Sequence, residues 1–193
     1  VSTTRPLPEG PGRLIVISGP SGVGKDTVLH ELFRLAPGLR RNVSYTTRAP
    51  REGESDGNPY TFIDEETFLD MVDRDEFLEH AIVYGHLYGT SVERVRDAVA
   101  QGDDVVLKID VQGAARVRDR VGRGATFIFL LPPSREELRR RLFERDADDS
   151  SSLSLRWANA VNELAEQSKY DHRVVNDDVG RAAREIKEII ASR

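Results

Sequence analysis

The segment Gly19-Pro20-Ser21-Gly22-Val23-Gly24-Lys25-Asp26-Thr27 follows the apolar run Leu14-Ile15-Val16-Ile17, and its residue types suit one task, holding phosphate. Three glycines between a buried strand and a helix start let successive backbone N–H groups turn inward around phosphate oxygens. Lys25 adds a mobile positive charge at the outer phosphates. The stretch reads as a P-loop with one departure. The pattern has Ser or Thr after the lysine, because a hydroxyl in the first helical turn ligates the Mg2+ that bridges nucleotide phosphates. This chain has Asp26 there. A plain Gly-rich turn would explain the glycines but not the fixed lysine, so nucleotide binding is the working premise.

A second cluster runs from Ser44 to Phe62, where Arg48, Arg51 and Tyr60 stand among tight-turn residues. Arginine forks grip phosphate in bidentate fashion, and a tyrosine hydroxyl can complete the shell. Alone, an Arg-Ala-Pro-Arg turn reads as a solvated loop. Beside a P-loop it reads as a second phosphate site.

The elements that must position these groups follow from periodicity. After the P-loop, Val28, Leu29, Leu32, Phe33 and Leu35 recur at helical spacing until Pro37-Gly38 ends the segment. Val105–Ile109, Thr126–Leu131 and His172–Val175 have the apolar, β-branched character of buried parallel strands. Ser134-Arg135-Glu136-Glu137 has capping-box spacing, and Ser91-Val92 opens a helix with Val92, Val95 and Val99 on one face. Strands alternating with helices predict a doubly wound α/β sheet. Two stretches interrupt it: a small mixed segment from Val43 to Tyr88 with a helix near Glu65–Val72, and a polar lid around Arg145–Ser154.

The chain resembles the guanylate kinase family from about Arg13 to its end. Similar enzymes carry the P-loop and then a Ser-x-Thr-Thr-Arg-x-Pro-Arg-x-Gly-Glu block, present here from Ser44 to Glu54. Glu-Phe-Leu-Glu (76–79), Tyr-Gly-Thr (88–90), Asp-Val-Gln-Gly (110–113) and Asn-Asp-Asp (176–178) follow in order. The resemblance implies a P-loop kinase core with a parallel sheet flanked by helices, a small mixed α/β GMP-binding insert and a mobile lid. Its expected boundaries are a flexible tail over 1–12 and one domain over 13–193. Within that domain the core covers 13–42 and 91–193, the insert 43–90 and the lid 145–154.

The same resemblance implies the chemistry, transfer of the γ-phosphoryl of ATP to GMP with Mg2+, in purine nucleotide metabolism. Arg48, Arg51, Tyr60 and Tyr88 would hold the GMP phosphate, while Ser44, Glu79, Thr90 and Asp110 would face guanine. ATP would lie on residues 19–27 with Arg141 and Asn176. Lys25, Arg48, Arg145 and Arg156 would carry the transfer step, and Asp26 would serve the metal. Glu79 also has a rationale of its own, since guanine presents two adjacent donors and an ionised carboxylate is an acceptor-only partner with two oxygens. Two departures from the family pattern stand out: Asp26, and Lys108 where similar enzymes often have Asp. They are expected to act together, with Asp26 supplying a carboxylate and Lys108 balancing it or reaching a phosphate. Asp146 replaces the usual Gly of the lid.

Two other readings remain. A non-catalytic interaction module typically loses the P-loop glycines and lysine, all present here. A P-loop kinase for another small phosphorylated acceptor should lack Glu79, Thr90 and Asp110.

Composition sets the remaining bounds. The net charge of −5, from 28 basic and 33 acidic side chains, gives a field that repels nucleic acid. With no cysteine, disulfide and thiolate chemistry are excluded. No apolar run reaches membrane-span length and the first residues lack an apolar signal core, so the expectation is a soluble, cytoplasmic protein with small-molecule substrates and no membrane partner. The four histidines show no metal-site spacing.

Overall fold

Every residue of Leu14–Ser18 (β1) is buried, as an apolar strand covered on both faces must be. The computed structural model describes residues 10–83, 85–145 and 150–192, with Arg145 and residues 150–153 defined by backbone alone. After β1 come α1 (Lys25–Leu35), β2 (Leu39–Arg41), β3 (Ser44–Thr46), β4 (Tyr60–Phe62) and α2 (Glu65–Asp73). Next are β5 (Phe77–Val83), β6 (His86–Ser91), α3 (Val92–Gln101), β7 (Asp104–Lys108) and α4 (Val111–Val121). The chain continues through β8 (Ala125–Leu131), α5 (Arg135–Arg145), α6 (Ser150–Ala165), a short 3-10 turn, β9 (His172–Val175) and α7 (Val179–Ala191). One sheet is ordered β2-β7-β1-β8-β9, the other β4-β3-β6-β5. The first is the expected parallel sheet flanked by helices, with β9 parallel to β8. The second is mixed, since β3 runs parallel to β4 and antiparallel to β6.

Contacts divide the chain into two units. The first comprises residues up to Leu14, with Arg40–Leu107 and Gln112–Ala125. Its mixed sheet packs on a cluster of Phe68, Met71 and Phe77, with Tyr45, Ile63, Val72 and Leu87 around it. Gly89 of β6 permits this packing, because a Cβ there would sit 2.6 Å from the Phe77 ring. Gly12 N–H donates to the Val99 carbonyl at 3.0 Å, while residues 1–9 of the expected tail lie outside the described residues.

The second unit comprises Ile15–Leu39, Lys108–Val111 and the chain from Thr126 onward. The α1 helix buries Val28, Leu29 and Leu32. Lys187 of α7 donates to the Leu35 carbonyl at the end of α1 (2.9 Å). The predicted caps are made, with Ser134 Oγ accepting from Glu137 N–H and Ser91 Oγ from Arg94 N–H. Part of the expected lid, residues 146–149, lies outside the described residues, as do the side chains of Arg145 and residues 150–153. Within the expected lid, the backbone of Ser150-Ser151-Ser152 forms the first turn of α6. Small hydroxyl residues are favoured at such starts, which composition alone does not distinguish from a loop. Among the described residues, no helix is long and apolar enough to cross a membrane.

Candidate functional site

The P-loop keeps its shape because its glycines are required where they stand. Gly19, Gly22 and Gly24 have φ of 150°, 80° and 92°. A Cβ on Gly19 would lie 2.5 Å from the Leu130 carbonyl, and one on Gly24 2.6 Å from Asn176 Nδ2. Asn176, buried at the end of β9, donates to the Val23 carbonyl at 2.8 Å, and Arg141 Nη1 reaches the same oxygen at 3.3 Å. Arg141 is itself held by Glu137 at 2.8 Å. Both sequence-predicted ATP residues therefore brace the loop from outside. The rest of the Asn-Asp-Asp motif serves the next helix: Asp178 caps α7 by accepting from Arg181 N–H, and Asp177 accepts from the Arg181 side chain.

Lys25 Nζ donates to the Gly19 and Pro20 carbonyls (2.5 and 3.0 Å). Burial pulls its pKa down from 10.5 to about 8, with Lys108 pushing the same way and Glu163, Asp26 and Asp110 opposing. Glu163 of α6 accepts from Ser21 N–H at 2.9 Å, so a carboxylate rests on the loop. Burial raises the Glu163 carboxyl above the usual carboxylate range. Arg156 lies two helical turns before Glu163 on α6, hence on the same face. Arg145 is the last residue of α5.

Asp26, in the first turn of α1, pairs with Lys108 at the end of β7 (2.5 Å). Its side chain is 73% exposed. An accessible carboxylate beside the P-loop lysine is the hard oxygen donor that Mg2+ takes, so the donor chemistry fits that ion. Thr27 follows it in α1, and Asp110 stands just past β7.

The second unit's loop has a counterpart in the first unit, built on the mixed sheet. Arg48 is nearly buried, 11% exposed, with Nη2 on both Glu54 oxygens (3.0 and 2.9 Å) and Nη1 on the Ala49 carbonyl (2.8 Å). Its guanidinium also lies over the Tyr60 and Phe62 rings. Tyr60 and Tyr88 meet edge to face with centroids 5.6 Å apart. Arg51 N–H donates to the same Glu54 carboxylate at 2.8 Å. Glu79 on β5 and Thr90 on β6 are register partners, both buried, and Thr90 Oγ1 donates to Glu79 Oε1 at 2.6 Å. Ser44 Oγ accepts from Asn42 at 3.1 Å. Seven of the eight residues expected to meet GMP thus fall in one unit, and Asp110 in the other.

Sequence reasoning passed over Glu54 and Glu163. Glu54 had a signal, an acid three residues after Arg51 in a Gly-containing turn. Glu163 had none, being 142 residues from Ser21.

The guanylate kinase family model matches residues 11–193. The guanylate kinase of Alkalilimnicola ehrlichii is 45% identical over 94% of this chain and 89% of its own. That of Caldanaerobacter subterraneus subsp. tengcongensis is 48% identical over 93% and 86%. The crystal structure of guanylate kinase from Anaplasma phagocytophilum superposes with a TM-score of 0.75 at 35% identity, covering 94% of this chain and 85% of that one. With the P-loop intact and the match spanning nearly the whole chain, the protein belongs to the guanylate kinase family.

Proposed function

We propose that the protein transfers the γ-phosphoryl group of ATP to GMP, giving ADP and GDP, in purine nucleotide metabolism of the cytoplasm. A GMP phosphate oxygen forms the new bond to the γ-phosphorus as the bond to the β,γ-bridging oxygen of ATP breaks. Such transfer asks the protein for positioning and electrostatic stabilisation, with no side-chain nucleophile. Lys25 and the amides of residues 19–27 hold ATP, on a loop braced by Arg141 and Asn176. Arg48 and Arg51 aim the GMP phosphate with Tyr60 and Tyr88, and Ser44, Glu79, Thr90 and Asp110 face guanine. Arg145 and Arg156 stabilise charge on the moving phosphoryl group. Asp26 would hold Mg2+, directly or through water, which when bound neutralises charge on the β- and γ-oxygens.

The observation that carries this reading is the Glu79–Thr90 pair. A buried carboxylate whose orientation is fixed by a 2.6 Å hydroxyl donor is a built acceptor. It matches the paired N1–H and amino donors of guanine and leaves adenine mispaired. A coupled assay with ATP and each of GMP, AMP, UMP and CMP tests it, GMP being the expected acceptor. Glu79→Gln should cut the GMP-over-AMP ratio of kcat/KM by about tenfold to a hundredfold, as expected for a hydrogen bond to a charged group. Equal turnover of GMP and AMP by the unmutated protein would overturn the assignment.

A further inference from the structure

The Asp26–Lys108 pair poses a charge problem that the general P-loop pattern does not have. A hydroxyl at the first helical position can serve a metal ion without adding charge. A carboxylate there adds a negative charge where a triphosphate must bind, and repels it unless a cation compensates. Lys108 Nζ, 2.5 Å from Asp26 Oδ1 and 82 residues away in the chain, is that cation. Lys108 is only 28% exposed, so it reaches Asp26 from a largely enclosed position at the end of β7. Both charges are felt at Lys25, with opposite sign, which puts the pair within electrostatic reach of the ammonium that meets the phosphates.

We propose that Asp26 and Lys108 are a charge-exchange pair that positions the ATP phosphates. Without metal, the two neutralise each other. When ATP binds with Mg2+, Asp26 leaves Lys108 for the metal's coordination shell, and Lys108, which offset the carboxylate before the metal arrived, is the partner it must give up. The pair thereby does the work of the missing hydroxyl. This rests on the P-loop being the ATP site, as proposed above.

The test is calorimetric binding of ATP, in EDTA and in Mg2+, to the unmutated protein, Asp26→Asn, Lys108→Met and the double variant. The quantity read is the gain in ATP affinity that Mg2+ confers. Lys108→Met strands the Asp26 carboxylate. It should weaken metal-free ATP binding and enlarge the Mg2+ gain by about tenfold, the size expected for one nearby unit charge. In the Asp26→Asn background the same substitution should leave the gain unchanged. Lys108→Gln repeats the measurement if the Met variant unfolds. If Lys108 substitution alters the gain equally in both backgrounds, the two residues do not act as a pair and the inference falls. If the unmutated protein binds no ATP with or without Mg2+, the ATP-site reading falls and takes the pair with it. Those two failures are distinct.

Discussion

In the proposed reaction Lys25 holds a phosphate as a cation, yet its half-buried place in the fold lowers its pKa to about 8. Between there and its ordinary 10.5 the unfolded chain keeps a proton that the folded chain has shed. Folding stability contributed by Lys25 therefore rises with pH across that window, and the full cost of the buried charge is present below pH 8. Anionic phosphates favour the protonated form, so ATP binding just above pH 8 should draw in a proton. Calorimetry of ATP binding in metal-free buffers of different ionisation enthalpy reads that uptake directly. It should vanish in Lys25→Met, whereas buffer-independent heats in the unmutated protein would show that Lys25 keeps its proton throughout. The proposed GMP site uses a different device. Glu54 fixes the Arg48 fork in the folded protein, so little side-chain freedom remains to be lost when a phosphate arrives.

At the scale of elements, the P-loop depends on the end of β9. Asn176→Ala leaves the Val23 carbonyl with only the longer Arg141 contact and should cost about 1–3 kcal/mol. Asn176→Asp should cost more, because it turns an acceptor oxygen toward that carbonyl. Urea midpoints falling in the order unmutated, Ala, Asp, with ATP affinity weakening alongside, check this. The P-loop itself was legible in the sequence because glycine at high φ leaves a residue-type signature, and β7, β8 and β9 were legible because buried strands are apolar throughout. The mixed sheet was not resolved into strands. Its members Ser44–Thr46 and Tyr60–Phe62 are three residues each, too short for a period, and their pairing is fixed by contacts distant in sequence. The bracing roles of Asn176 and Arg141 were hidden for the same reason, since Val23 is 153 and 118 residues from them. Motif order identified the residues, and only the fold showed what they touch.

For the molecule as a whole, the net charge of −5 opposes both anionic substrates, so each relies on its own local cations. GMP and ATP should each raise the melting temperature by mass action, with about 2.7 kcal/mol expected at a hundredfold excess over Kd. Arg48→Ala should lose the shift given by GMP and keep that given by ATP. Thermal melts with each nucleotide decide it, and the reverse outcome would mean the two sites are assigned backwards. The division of the chain has a consequence for heredity. Each unit is assembled from separate stretches that alternate along the sequence, so no single cut frees either one. A gene rearrangement that moved residues 40–107 would carry seven of the eight residues expected to meet GMP and leave Asp110 behind with the other unit. The residues expected to meet the acceptor can thus be inherited almost as one block, whereas those expected to meet ATP, at 19–27, 141 and 176, stand on both sides of that block and cannot be moved as one piece without it.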